Sequence, residues 1–244
     1  SQKVWFDNLM SAEIPFLTGV PQGSVLGPLL FLVYVADLIT LVESLNISIQ
    51  MYADDILIYF SGSVSEVDAV SSKIVEGIEY INSWLKSNRL VLNPNKTEMM
   101  WVGSRNLLSK ISLHEITVLD SVIKLSSVVK YLGVMLDNDL SFKSQCALIT
   151  KSSFFCFKNL RLIKRYVPYD VFKQLVVAFI LTCLDYFNSL FYSVNIELVN
   201  SIQLVQNTAA RLIFGLKKFD HISERLKSLH WLPVRQRIIF KIAV

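Results

Sequence analysis

A chain of 244 residues, 52% of them hydrophobic, can bury one sizeable core or two small ones, which excludes disorder as its default state. Its net charge of +4 hides a division: residues 1–150 carry 10 Lys and Arg against 15 Asp and Glu, residues 151–244 carry 14 against 5. An acidic half suits a cation and a basic half a polyanion.

The first strong local signal is GVPQGSVLGP, residues 19–28, which holds three of the eight glycines and reads as a loop built for close backbone approach. Pro28 suits the first turn of a helix, and LLFLVYVADL, apolar on every side, predicts a helix buried all round. ISIQMY and ILIYF then form a β-hairpin joined at ADD. Ser63 and Glu66 make a capping box, and Val67, Val70, Ile74, Ile78, Ile81 and Leu85 recur at the spacing of an amphipathic helix ending near Asn88. LVLNPNKTEMMWVG predicts strand, turn at Pro94-Asn95, strand. Short β runs continue from Ile111 to Leu136, and from Ser141 onward the pattern is helical, with breaks near Pro168, Asn195, Gly215 and Pro233. Within it Leu198, Ile202, Val205, Ala209 and Leu212 keep a helical period.

The longest nearly uncharged run, Leu175 to Leu184, is ten residues, short of the roughly 20 that span a membrane. With no signal-peptide pattern, an intracellular protein of nucleus or cytoplasm is expected. Cys146, Cys156 and Cys183 show no CxxC spacing and read as buried thiols. His114, His221 and His230 are isolated and carry no assigned role. A first residue that is Ser and a last segment, RQRIIFKIAV, without a terminating signal suggest a piece of a longer chain.

Asp54 and Asp55 stand side by side between two apolar runs. Ionised carboxylates against buried surface cost several kcal/mol unless they meet water, a cation or hydrogen-bond donors. The pair is therefore a turn tip or a metal site. Successive strand side chains face opposite ways, which makes Asp54 the direct ligand and Asp55 an auxiliary one. Hard oxygen ligands of this kind suit Mg²⁺.

Taken in order, GVPQGSVLGPLLF, MYADDILIY, NPNKTEMMWVGS and VKYLGVMLD resemble the palm of reverse transcriptases of non-LTR (LINE) retrotransposons, particularly the jockey and CR1-like lineages. NTAARLIFGL and LKSLHWLPVRQRI resemble the thumb and following region, so the likeness runs from about residue 17 to the end. The implied fold is α+β: a partial palm over residues 1–140, an antiparallel sheet with packed helices, followed by an all-α, basic thumb-like region over 141–244. The implied activity is RNA-directed DNA polymerisation, nucleotidyl transfer to a primer 3′ end by a two-metal mechanism. The implied partners are an RNA template, a DNA primer and deoxynucleoside triphosphates, with Mg²⁺ or Mn²⁺ as cofactor and no membrane.

By resemblance, Asp54 and Asp55 are the catalytic metal ligands. Gln22 and Gly23 belong to the nucleotide-binding loop, and Lys96 lies near the triphosphate as a proton donor to the leaving group. Tyr131, Leu132 and Gly133 form the primer grip. Lys158, Arg161, Lys164 and Arg165, at helical spacing, suit nucleic-acid phosphates. Trp231 reads as a core anchor.

The departures are informative too. Related palms carry a further aspartate upstream of the Gly-rich loop, in an AFD-like segment, which this chain begins too late to contain; Asp7 lies too close to the loop to replace it. Asp37 follows Ala36 where the family has Asn-Asp, a pair that is not a metal ligand. Fingers and endonuclease segments are missing as well, so the fragment alone is expected to be inactive. The alternative is a truncated remnant that at most binds nucleic acid.

Overall fold

The computed structural model describes residues 1, 3–15, 19–21, 23–119 and 121–244. In chain order the elements are β1 (Trp5–Phe6), β2 (Leu9–Met10), α1 (Gly27–Glu43), β3 (Ser48–Tyr52), β4 (Asp55–Tyr59), α2 (Val67–Ser87), α3 (Arg105–Leu108), β5 (Glu115–Val118), β6 (Ser121–Lys124), β7 (Val128–Tyr131) and β8 (Val134–Asp137). Helices follow: α4 (Lys143–Ile163), α5 (Tyr169–Val176), a π-turn at Val177–Leu181, α6 (Thr182–Asp185), α7 (Ile196–Phe214), α8 (Ser223–Ser228) and α9 (Val234–Ala243). The class is α+β. The expected continuous sheet is replaced, among the described residues, by four separate two-stranded ladders: β1–β2, β3–β4, β5–β6 and β7–β8.

The chain divides into two compact units, Ser1–Thr97 with Ile116–Val122, and Glu98–Glu115 with Ile123–Val244. Secondary structure does change character near residue 140, but the strands just before it belong with the helices after it. The reason is local bonding. Gln145 of α4 accepts a hydrogen bond from the Met135 amide of β8 at 2.9 Å. Asp137, at the end of β8, accepts from Ser141 Oγ and from the Ser144 amide in the first turn of α4, where a carboxylate meets the positive end of the helix. Further along that loop, hydrogen bonds from the Arg105 guanidinium and from Ser141 hold the Asp139 carboxyl down at about 2.

In the first unit α1, α2 and the β3–β4 hairpin share a core of Leu38, Val42, Ile47, Ile49, Ile81 and Leu85. The predicted face of α2 is the buried one: Val70, Ile74, Ile78, Ile81 and Leu85 all point inward. Its capping box at Ser63 and Glu66 is present. The C-terminal end is a Schellman closure, with Arg89 left-handed (φ 56°) and the Leu90 amide donating to the Leu85 carbonyl at 2.8 Å. Tyr34 of α1 ties down the same end through its hydroxyl, which donates to the Asn88 carbonyl at 2.6 Å.

Gly77 lets α2 approach Ile47, the residue before β3: a Cβ there would meet Ile47 Cδ1 at 2.6 Å. Replacing Gly77 with valine is therefore expected to destabilise the protein by about 2 kcal/mol through overpacking. Urea denaturation checks this, and an unchanged midpoint would show that the end of the Ile47 side chain gives way to the added group.

Two expectations for this unit are corrected. α1 begins at Gly27 with Pro28 in its first turn, but only one stripe, Gly27, Val35, Leu38 and Val42, is buried. Leu29, Leu30, Leu32 and Val33 are exposed, Val33 at 76%. Residues 90–93 form no strand, because the Schellman turn draws Leu90 and Leu92 back onto the first core. The turn at Pro94–Lys96 is present as a 3₁₀ turn capped by Asn93. Beyond it, Met99 makes a single parallel bridge to Leu125 in place of the second strand.

The second unit packs α4, α5, α7 and α9 around Phe157, Phe172, Ile180, Leu184, Phe191, Ile202 and Val205. Ala209 and Ala210, fully buried, let neighbouring helices close on α7. The expected breaks recur as caps: Pro168 and Pro233 precede α5 and α9, Asn195 accepts from the Glu197 amide, and Gly215 closes α7 at φ 69°. Trp231 is buried in this core, 8% exposed, as expected of an anchor. Of the thiols only Cys146 is buried, and burial pushes it up to about 11; Cys156 is half-buried and Cys183 exposed.

Candidate active site

The β3–β4 ladder pairs Ser48 with Tyr59, Ile49 with Ile58, Gln50 with Leu57, Met51 with Ile56 and Tyr52 with Asp55. Ile47, Ile49, Met51, Ile56 and Ile58 belong to the first core, so register puts Gln50, Tyr52, Leu57 and Asp55 on the opposite face. Ala53 and Asp54 form the two-residue turn, and Ala53 supplies the left-handed backbone (φ 52°) that so short a connection needs. The apolar runs on either side of the aspartates thus have a clear reason: they clamp one face of a ribbon onto α1 and α2, so that its tip projects.

Asp54 and Asp55 are both exposed, one in the turn and one at the first strand position. Among the described residues neither carboxylate has a hydrogen-bond or ion-pair partner. Two adjacent anions without a donor or counter-charge repel each other, and hard oxygen ligands in that state fit a divalent cation such as Mg²⁺. No cluster of three or more His, Cys, Asp or Glu gathers among the described residues. Asp7, the aspartate upstream of the Gly-rich loop, lies in the β1–β2 turn with a left-handed backbone (φ 46°).

Other expected residues of the same unit stand open. Gly23 is left-handed (φ 84°), and a Cβ there would meet nothing within 4 Å; Gln22 lies outside the described residues. Lys96 ends the Pro94–Lys96 turn, exposed and without an ion-pair partner among the described residues. The remaining expected residues belong to the second unit. Tyr131 and Val134 pair across the β7–β8 hairpin, and Leu132 (φ 46°) and Gly133 (φ 80°) form its tip. Two successive left-handed residues match the twist of the strands they join.

The basic segment is only partly free. Lys158, Arg161 and Arg165 are exposed, Arg165 lying over the Tyr166 ring at 4.7 Å. Lys164 turns inward: its ammonium donates to the Leu212 carbonyl at 2.5 Å and sits over the Phe172 ring, where it complements the negative end of α7. Its charge is committed to the fold.

Comparison with known proteins places the chain. Residues 3–136 match the reverse transcriptase (RNA-dependent DNA polymerase) family. The chain belongs to that family, and the hairpin carrying Asp54 and Asp55 lies within the matched span. It is 28% identical over 141 residues to the RNA-directed DNA polymerase from mobile element jockey of Drosophila melanogaster, an alignment covering 56% of this chain and 15% of that protein. It is 32% identical over 151 residues to the "Probable RNA-directed DNA polymerase from transposon BS" of the same organism, covering 59% of this chain and 16% of that protein. The chain thus spans about a sixth of the length of these curated relatives. No solved structure matches. No helix among the described residues is long and apolar enough to cross a membrane.

Proposed function

We propose that this chain is the carboxyl-side palm and thumb of an RNA-directed DNA polymerase of a non-LTR retrotransposon, which extends a primer 3′ end from deoxynucleoside triphosphates on an RNA template. The observation that carries the reading is the carboxylate pair at the tip of the β3–β4 hairpin, without a partner among the described residues, in a chain that belongs to the reverse transcriptase family. Asp54 and Asp55 would hold Mg²⁺. Bound there, it would supply Lewis-acid stabilisation of the charge that develops in phosphoryl transfer. Asp54, in the turn, is the principal ligand and Asp55 the auxiliary one.

The other residues bind and orient. Gly23 leaves the nucleotide loop without a side chain where backbone would approach the incoming nucleotide. Lys96, an exposed ammonium, suits the triphosphate and can give a proton to the departing pyrophosphate oxygen. Leu132 and Gly133 present the primer end. Mg²⁺-dependent primer extension on an RNA template tests the whole reading, using a longer polypeptide that joins this chain to its upstream segment. Extension is expected, to cease when the cation is chelated; a folded polypeptide that extends no primer would overturn it.

Lys158 and Arg161 on the exposed side of α4, with Arg165 in the 3₁₀ turn Lys164–Tyr166 that follows it, would follow nucleic-acid phosphates. Each phosphate contact contributes about 0.9 to the slope of log affinity against log salt on a duplex. Replacing all three by alanine is expected to flatten that slope by about two to three, measured by fluorescence anisotropy on a duplex of arbitrary sequence. An unchanged slope would remove these residues from the interface.

A further inference from the structure

The tip of the β7–β8 hairpin is held from a distant part of the chain. Leu132 adopts a left-handed backbone (φ 46°), which costs a branched residue roughly 1–2 kcal/mol, so its geometry needs support. Tyr186 provides it: its hydroxyl donates to the Leu132 carbonyl at 2.8 Å. Its ring covers the next residue, for a Cβ on Gly133 would meet Tyr186 Cε1 and Oη at 3.3 Å.

Tyr186 is itself fixed. It follows α6, just after the π-turn Val177–Leu181, and the ring of left-handed Phe187 meets it edge-on at 4.6 Å. The preceding Asp185 accepts from Arg237 Nε at 2.8 Å and pairs with Arg237 Nη2; its carbonyl accepts from Lys241 Nζ at 2.9 Å. Polar contacts therefore run from α9 to Asp185 and from Tyr186 to the hairpin tip, joined by the Asp185–Tyr186 peptide bond, all within the second unit.

We propose that Tyr186, anchored through Asp185 by Arg237, is a positioning residue that sets the Leu132–Gly133 turn against the primer end. The proposal rests on the reading of that turn as a primer grip. Loss of one hydrogen bond should alter primer binding by about fivefold, and because the turn is not assigned to the nucleotide it should spare the nucleotide.

The test uses the longer polypeptide with two substitutions made separately. Tyr186→Phe is expected to raise KM for the primer–template about fivefold, leaving KM for the deoxynucleoside triphosphate unchanged and lowering the melting temperature by no more than the roughly 2–4 °C that one lost hydrogen bond costs. Leu132→Cys, offered a primer with a thiol-reactive group on its terminal nucleotide, is expected to crosslink above the level of the parent chain. If the crosslink forms and Tyr186→Phe leaves the primer KM unchanged, the positioning role is wrong and the primer-grip reading stands. A fall in melting temperature with parallel changes in both KM values would also overturn it, as a merely structural effect. If no crosslink forms, the primer-grip reading fails and the positioning role fails with it.

Discussion

Replacing Asp54 with asparagine is expected to lower Mg²⁺-dependent primer extension by about three orders of magnitude or more in the longer polypeptide, as removal of a catalytic group does, with no change in melting temperature. The two halves of that expectation come from the same geometry. Asp54 is exposed in a two-residue turn and gives up no hydrogen bond or ion pair to the described residues when its charge is removed. Asparagine is of nearly the same size and tolerates turns, so the hairpin should keep its register from Ser48 opposite Tyr59 to Tyr52 opposite Asp55. What disappears is one anionic ligand for a hard cation. Asp55→Asn should cost less, because that carboxylate sits beside Tyr52 on the strand and has the auxiliary role. Single-turnover extension over a range of Mg²⁺ concentrations checks both. Extension by the Asp54→Asn polypeptide within tenfold of the parent would defeat the assignment, and a larger loss for Asp55→Asn would reverse the two roles.

Some elements were legible because their physics is local. α2 and α7 announce themselves through apolar residues three and four apart and through caps within one turn of each end. The hairpin around Asp54 was legible for the same reason, since a short strand-like apolar run on each side and a turn between them define a ribbon. What the sequence could not convey depends on partners far along the chain. α1 reads as apolar all round, yet only the stripe facing β3 and α2 is covered. The strand-like run at Leu90–Asn93 is taken by a helix-ending turn that half-buries Leu90 against the core that holds Leu85. Lys164 occupies a position that helical spacing assigns to a basic face, but a long flexible stem lets its ammonium reach back to a helix end 48 residues away in sequence. Tyr186 carries no motif at all: its significance comes from the Leu132 carbonyl, 54 residues earlier.

The second large effect should come from Gln206, a fully buried polar residue in the middle of α7. Its Nε2 donates to the Leu232 carbonyl at 2.8 Å, and its Oε1 accepts from Gln203 Nε2 at 2.8 Å. Gln203 Oε1 in turn accepts from the Val234 amide at 2.8 Å. The two glutamines thus satisfy backbone groups on both sides of Pro233, which has no amide hydrogen of its own, and hold the HWLPV turn so that Trp231 and Val234 reach the core. Gln206→Ala loses both hydrogen bonds and leaves a void, an expected cost of about 3 kcal/mol. Gln206→Glu sharpens the test, because it keeps the shape and replaces the donor facing Leu232 with an acceptor. A buried glutamate is driven toward its protonated form, so its folded-state pKa rises above the unfolded value of about 4.3. Its stability should therefore be fully present at pH values below the unfolded pKa, where a neutral carboxyl can donate to Leu232, and be lost as pH rises through the folded-state pKa. Urea denaturation of the parent and both variants from pH 4 to 8 measures this. A gap between Gln206→Glu and the parent that does not widen with pH, or a Gln206→Ala cost below about 1 kcal/mol, would show that the turn is held by its apolar anchors and not by the glutamines.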